Sequence, residues 1–209
     1  MGSDERDDND AKATVSRRAF LKGGAAATGA ISSALIPSAD AHAQLPVATE
    51  PDSRRSTVAL KVNGVSYRQE IPNRITLLEF LREELKLTGT KMGCDRLQCG
   101  ACTVVLNGRS VYACTVLAVE ANESDVLTIE GLAADSGLHP LQTAFVEHSG
   151  FQCGFCTSGQ IMAAKAFLDR NPRPTEDQVR QALSGNLCRC AAYKRILESV
   201  MAASRAMQA

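Results

Sequence analysis

The side chains in this sequence best suited to chemistry are its eight cysteines, which fall into two sets of four. Cys94, Cys99 and Cys102 form a C-x4-C-x2-C run, and eleven residues separate Cys102 from the fourth member, Cys114. In the second set Cys153 and Cys156 form C-x2-C, thirty-one residues intervene, and Cys188 and Cys190 form C-x-C. Thiolates of this kind hold iron–sulfur clusters, hold zinc, or oxidise to disulfides. Zinc ribbons favour two C-x2-C units per ion, and neither set has two. The C-x-C pair is too cramped for an easy internal disulfide. Two sulfide-bridged irons need four thiolates around one flat rhomb. Three from a single wrapped loop and one from a neighbouring strand supply them, and the first set has the plant-type [2Fe–2S] spacing. Gly93 and Gly100 let that loop bend and turn backbone N–H groups toward sulfur. Lys91 and Arg96 read first as solvated surface residues beside it, with softening of the cluster's negative charge as the alternative.

The elements that must position these thiols can be read from local pattern. Residues 57–62 alternate, Asn63-Gly64 is a hairpin turn, and residues 65–70 return. Thr76-x-x-Glu79 is a capping box opening a helix to about Leu85, with Leu77, Leu78, Leu81 and Leu85 on its core face. Residues 103–106, Asn107-Gly108 and residues 109–112 predict a second hairpin, and residues 125–130 a last strand. The second half is helical. Residues 140–149 begin with Pro140 in a first turn, and Thr157 or Ser158 caps a helix to about Arg170. Asn171-Pro172-Arg173-Pro174 breaks the chain, Thr175-x-x-Gln178 is another capping box, and Gly185 stops that helix. A last helix spans about 191–206 with Ile196, Leu197 and Val200 inward. The expected class is α+β: an N-terminal β-grasp, ferredoxin-like [2Fe–2S] domain, then an all-α four-helix-bundle [2Fe–2S] domain.

Length and charge bound the rest. The chain has 209 residues, with Lys+Arg and Asp+Glu both 23. Zero net charge argues against nucleic acid as a partner, since phosphate binding needs a basic surplus. Aromatics are only 4% and Trp is absent, so bound metal is an expected source of stability. No apolar run reaches the ~18–20 residues of a membrane span. Residues 16–22 (SRRAFLK) resemble a twin-arginine signal; a weakly apolar stretch to Ile36 and an Ala41-His42-Ala43 cleavage site follow. That pathway exports proteins already folded, so clusters can be built where thiols stay reduced. The expected organisation is a signal peptide at 1–43, a linker at 44–56, the ferredoxin-like domain at 57–135 and the helical domain at 136–209. The expected location is the periplasm.

Two stretches carry a family resemblance. Residues 93–103 (GCDRLQCGACT) resemble the first cluster motif of the xanthine dehydrogenase/aldehyde oxidoreductase (molybdenum hydroxylase) family. Residues 152–159 (QCGFCTSG) and 185–190 (GNLCRC) resemble its second motif. The match runs from about Thr57 to the C-terminus and is close to the iron–sulfur subunit of periplasmic aldehyde oxidoreductases. The resemblance implies two [2Fe–2S] clusters relaying electrons from a molybdopterin centre to FAD or another acceptor. It implies that Cys153, Cys156, Cys188 and Cys190 lie nearer the molybdopterin, with Gln152 and Cys190 contacting it, and that Phe155 stands where many relatives carry Tyr. The implied partners are a large subunit with molybdopterin cytosine dinucleotide and an FAD-binding subunit, or a cytochrome acceptor. No catalytic residue is expected in this chain, because the molybdenum site belongs to the large subunit. Aldehydes are the expected substrate class, with N-heterocycles second. The competing readings are a stand-alone exported ferredoxin-like carrier and a zinc-bound or disulfide-stapled binding protein. With eight cysteines filling eight ligand positions, His139 and His148 read as helix-start and surface residues. Tyr193 reads as packing, and Arg189 as tuning a cluster or meeting the large subunit.

Overall fold

A computed structural model describes residues 54–133 and 137–208 of the chain. The signal read at 1–43, the linker up to residue 53 and the 135/136 domain boundary lie outside the described residues.

The first strand, β1 (Arg55–Val62), buries Val58, Leu60 and Val62 and turns the residues between them outward, the period-two pattern of a half-buried strand. It begins at Arg55, paired with Pro72, so Arg55 and Ser56 belong to the sheet and not to the linker. Asn63 (φ 51°) and Gly64 (φ 84°) both adopt the left-handed conformation that a tight two-residue turn demands. The chain returns antiparallel as β2 (Val65–Pro72), with Val62 opposite Val65. The same device, Asn107 (φ 49°) and Gly108 (φ 78°), joins β3 (Thr103–Leu106) to β4 (Arg109–Tyr112). The last strand, β5 (Asp125–Leu127), is parallel to β1 and antiparallel to β3, giving the order β2-β1-β5-β3-β4. It stops at Leu127, short of the Glu130 expected. The Asn63 side chain takes the Thr128 N–H and donates to Thr128 Oγ1, and the chain turns at Ile129–Gly131.

The Thr76 box closes in both directions: Thr76 Oγ1 accepts from the Glu79 N–H, and Glu79 Oε2 accepts from the Thr76 N–H. It opens α1, regular over Leu77–Glu79 and widened over Phe80–Glu84, where the Leu85 N–H reaches back to Phe80 O. Leu77, Leu78, Phe80 and Leu81 pack with the β1 residues, Val104 and Val126 into one core, which Cys102 and Cys114 join.

Four helices complete the chain: α2 (Pro140–Glu147), α3 (Thr157–Leu168), α4 (Glu176–Ala182) and α5 (Tyr193–Ala206). Thr175 and Gln178 form the expected reciprocal cap of α4, and His139 and Gln142 form one on α2. The residue at the N-cap of α3 is Cys156, and neither Thr157 nor Ser158 caps it. α4 ends at Ala182, so Gly185 does not stop it. α5 is amphipathic, burying Ile196, Leu197, Val200 and Ala203. α3 is different: it is buried on nearly every side because it packs on β3 and β4 as well as on α2, α4 and α5. A second core unites the helices with Val105 and Leu127 of the sheet, so the helical half rests directly on the ferredoxin-like half.

Candidate metal centres

None of the eight cysteines is joined in a disulfide. Cys94, Cys99 and Cys102 occupy the irregular segment between α1 and β3, and Cys114 lies in the turn that follows β4. That segment winds through left-handed positions at Asp95 (φ 52°), Leu97 (φ 62°) and Gly100 (φ 68°). Winding of this kind turns successive backbone N–H groups toward one side, which suits an anionic occupant. The Gln98 N–H donates to Cys94 Sγ at 3.3 Å. A Cβ on Gly93 would stand 3.0 Å from Cys99 Sγ, so the backbone there is bare where it passes the sulfur.

The thiols meet two by two. Cys94 lies within hydrogen-bonding reach of Cys99, and Cys102 of Cys114. Slight burial pushes the Cys94 thiol up, but backbone N–H groups of Arg96, Gln98 and Cys99 and the Cys99 thiol outweigh it and hold Cys94 at about 7. Cys102 is pushed up to about 12, chiefly by burial and then by the Cys114 thiol and the nearby thiolate charges, against an opposing Cys114 backbone N–H.

The second set repeats the pattern at helix ends. Cys153 and Cys156 precede α3, and Cys188 and Cys190 lie between α4 and α5. Cys153 pairs with Cys190, and Cys156 with Cys188. The Phe155 backbone N–H, then the Cys190 thiol, lower Cys153. The Cys153 backbone N–H draws Cys190 down, but the Cys153 thiol, burial and the Cys153 and Cys188 charges leave it raised. Cys156 is pushed up to about 12 by burial, then by the Cys188 thiol and the charges at Cys188 and Cys153. The hydroxyls of Thr157 and Ser158, in the first turn after Cys156, are buried with no hydrogen-bond partner among the described residues.

Among the described residues no three His, Cys, Asp or Glu side chains converge as a single metal ion needs. Each set instead offers one outer and one inner pair of thiols. Paired donors of this kind fit two sulfide-bridged irons, each taking two thiolates.

Both sets open onto one cleft of about 810 Å³, walled by Cys94, Cys99, Cys153, Cys156 and Cys188 together with Phe155. Leu187, Arg189 and Tyr193 complete the wall, and Phe155 is 48% exposed there. Gln152 lies beside Cys190, its Nε2 donating to Cys190 O at 3.4 Å. His139 is the cap of α2, its Nδ1 accepting the Leu141 N–H, and His148 ends that helix; both stand apart from the cleft lining.

Four polar side chains brace the sets, two of them across the seam between the halves. The Tyr193 hydroxyl accepts the Cys188 N–H at 3.0 Å, so Tyr193 does more than pack. The Tyr112 hydroxyl donates to Gly185 O at 3.0 Å. Asn186 is a buried polar side chain bonded across the seam to Gly100 O, and the buried Gln160 braces it from within the helical half by donating to Asn186 O. Gly100, Gly159 and Gly185 mark where backbones approach closely beside them.

Residues 60–133 match the family described as 2Fe-2S iron-sulfur cluster binding domain, and residues 128–201 match the family described as [2Fe-2S] binding domain. The chain is 43% identical over 202 residues to the aldehyde oxidoreductase iron-sulfur-binding subunit PaoA of Escherichia coli (strain K12), covering 90% of this chain and 87% of that protein. It is 44% identical over 153 residues to the nicotine 6-hydroxylase small subunit of Paenarthrobacter nicotinovorans, covering 73% of this chain and 92% of that one. Among solved structures, a chain of quinoline 2-oxidoreductase from Pseudomonas putida 86 superposes with a TM-score of 0.71 at 38% identity, covering 75% of this chain and 98% of its own.

Proposed function

Because this chain belongs to the iron–sulfur small subunits of the xanthine dehydrogenase/aldehyde oxidoreductase (molybdenum hydroxylase) family, we propose that it is the two-cluster electron relay of an exported aldehyde-oxidising enzyme. In this reading Cys94, Cys99, Cys102 and Cys114 hold one [2Fe–2S] cluster, and Cys153, Cys156, Cys188 and Cys190 hold the other. Each cluster, when bound, supplies a one-electron store whose potential follows its hydrogen bonds and exposure. The protein's part is to hold eight thiolates, aim backbone N–H groups at them, and keep Cys102, Cys114 and Cys188 away from water.

We place the helical-domain set on the donor side. Gln152 and Cys190, which lie together, are the residues read as touching molybdopterin cytosine dinucleotide on a large partner subunit. The ferredoxin-like set stands on the acceptor side, toward an FAD-binding subunit or a cytochrome. The half-exposed Phe155, Leu187 and Tyr193 give the cleft an apolar rim suited to burial against a partner. We read the four helices as the bundle of a separate [2Fe–2S] domain, with the signal at 1–43, a linker that ends before β1, and the domain boundary near 135. The single observation that carries the relay is the opening of both thiol sets onto one cleft. Similarity to an aldehyde oxidoreductase subunit across 90% of the chain favours aldehydes over N-heterocycles.

The test is to purify the natively expressed chain from a periplasmic extract. Co-purification with a large molybdopterin-containing chain is the expected result. A chain that elutes alone, or that stays in the cytoplasm with residues 1–43 intact, contradicts the proposal.

A further inference from the structure

The seam between the two halves is held by a buried polar cluster centred on Asn186, which is 4% exposed. Its Nδ2 donates to Gly100 O at 2.9 Å and to Thr103 Oγ1 at 3.0 Å. Gln160, 1% exposed, donates from Nε2 to Asn186 O at 2.8 Å. Thr103 Oγ1 in turn donates to Gly100 O at 2.6 Å. Every atom named lies out of water, where a donor stripped of its partner is costly.

The positions of these residues matter more than their number. Asn186 stands two residues before Cys188, and Gly100 lies between Cys99 and Cys102. One side chain therefore fastens the C-x-C turn of one set to the C-x2-C turn of the other. One residue further on, the Leu187 N–H donates to Cys99 O at 2.9 Å. A single hydrogen bond thus joins the backbone of a cysteine in one set to the residue covalently attached to a cysteine in the other. Bare backbone contact, as where Gly159 meets Gly100 and Ala101, excludes water but fixes no register. Two directional bonds from one amide do.

We propose that Asn186 is a positioning residue that sets the separation of the two cysteine sets, and through it the strength of their electronic coupling. Gln160 holds Asn186 in place for that task. The inference rests on the reading that both sets carry clusters.

The test uses the full-length, cluster-loaded chain and two substitutions. Asn186→Asp keeps the shape but removes both Nδ2 donors. Thr103→Val keeps the shape and removes one acceptor, leaving the bond to Gly100 O. Three quantities are read: iron and acid-labile sulfide per chain, hydrogen exchange at the Leu187 amide, and electron paramagnetic resonance of partly and fully reduced protein. The parent protects the Leu187 amide and shows extra line splitting or broadening only when both centres are reduced. Asn186→Asp keeps the parent's iron, exchanges Leu187 roughly ten- to a hundred-fold faster, and alters the fully reduced spectrum alone. Thr103→Val shifts the same two readouts in the same direction by less.

Parent-like exchange and a parent-like fully reduced spectrum in Asn186→Asp overturn the proposal. If Asn186→Asp does not fold or load, Thr103→Val decides: no change in either readout overturns it. A parent chain without iron defeats the functional reading, and Leu187 exchange then judges the clamp by itself.

Discussion

Substituting Gly159 by alanine sets two effects of opposite sign against each other. Gly159 occupies the first turn of α3, where alanine is the better helix former by about 1 kcal/mol in a helix interior and by less near an end. A Cβ there would overlap Gly100 O and stand 3.0 Å from Ala101 Cα and 3.1 Å from Ala101 C. An unforced carbon–oxygen contact is about 3.3–3.6 Å. The atoms met are backbone, so either α3 or the loop from Cys99 to Cys102 must yield. Overpacking of this kind costs about 1–3 kcal/mol, and a backbone obstacle puts it in the upper half of that range. The net expectation is a loss of about 1–2 kcal/mol. Guanidinium unfolding of the loaded chain measures it, with the visible circular dichroism of the clusters followed beside it. Because Gly100 and Ala101 lie between two cysteines of the first set, that set's spectrum changes before the other's. A Gly159→Ala chain more stable than the parent, with unaltered spectra, refutes the close approach of α3 to the cysteine loop.

Other expectations follow from the same geometry. Cys156→Ser removes the spectrum of the helical set and leaves that of the ferredoxin-like set, and Cys99→Ser does the converse; loss of both signals from a folded variant breaks the assignment of cysteines to sets. Gly185→Ala drives a Cβ into the Tyr112 hydroxyl and costs about 1–3 kcal/mol. Tyr112→Phe removes that obstacle, so the double variant recovers about 1 kcal/mol relative to additivity in a double-mutant cycle; strict additivity contradicts the contact. Burial, then the Lys165 charge, hold the His139 imidazole below its usual 6.5 against an opposing Asp169. The folded chain therefore binds fewer protons at His139 than the unfolded chain does. Its contribution is intact above 6.5 and is lost as pH falls from there toward the lowered value. Urea midpoints between about pH 7.5 and 5.5 fall less in His139→Asn, whose side chain still caps α2; equal slopes in parent and variant contradict this.

Elements with their own local chemistry were legible in the sequence. Asn63-Gly64 and Asn107-Gly108 announce turns because those residues tolerate positive φ, and the structure gives all four of them positive φ. The Thr76/Glu79 and Thr175/Gln178 boxes announce helix starts because each pair satisfies its own backbone donors. What depends on distant partners was not legible. β5 ends early because Asn63, far off in the chain, claims Thr128. α3 shows no single apolar stripe, because the sheet covers the side that a lone helix would expose. Cys156, and not Thr157 or Ser158, stands at the N-cap position of α3, and the hydroxyls of Thr157 and Ser158 are buried without a partner among the described residues. The spacing of the cysteines was plain, whereas their meeting across one seam was not. Asn186 and Tyr112 join them, braced by Gln160 and Tyr193; Asn186 lies inside the GNLCRC stretch, but nothing in that stretch says that its side chain reaches the other set.

Quantifying iron and acid-labile sulfide in the full-length chain, purified without reconstitution, tests the central claim most directly. Two [2Fe–2S] clusters predict about four irons and about four sulfides per chain. Zinc without labile sulfide, thiols fully oxidised to disulfides, or about two irons per chain contradicts it.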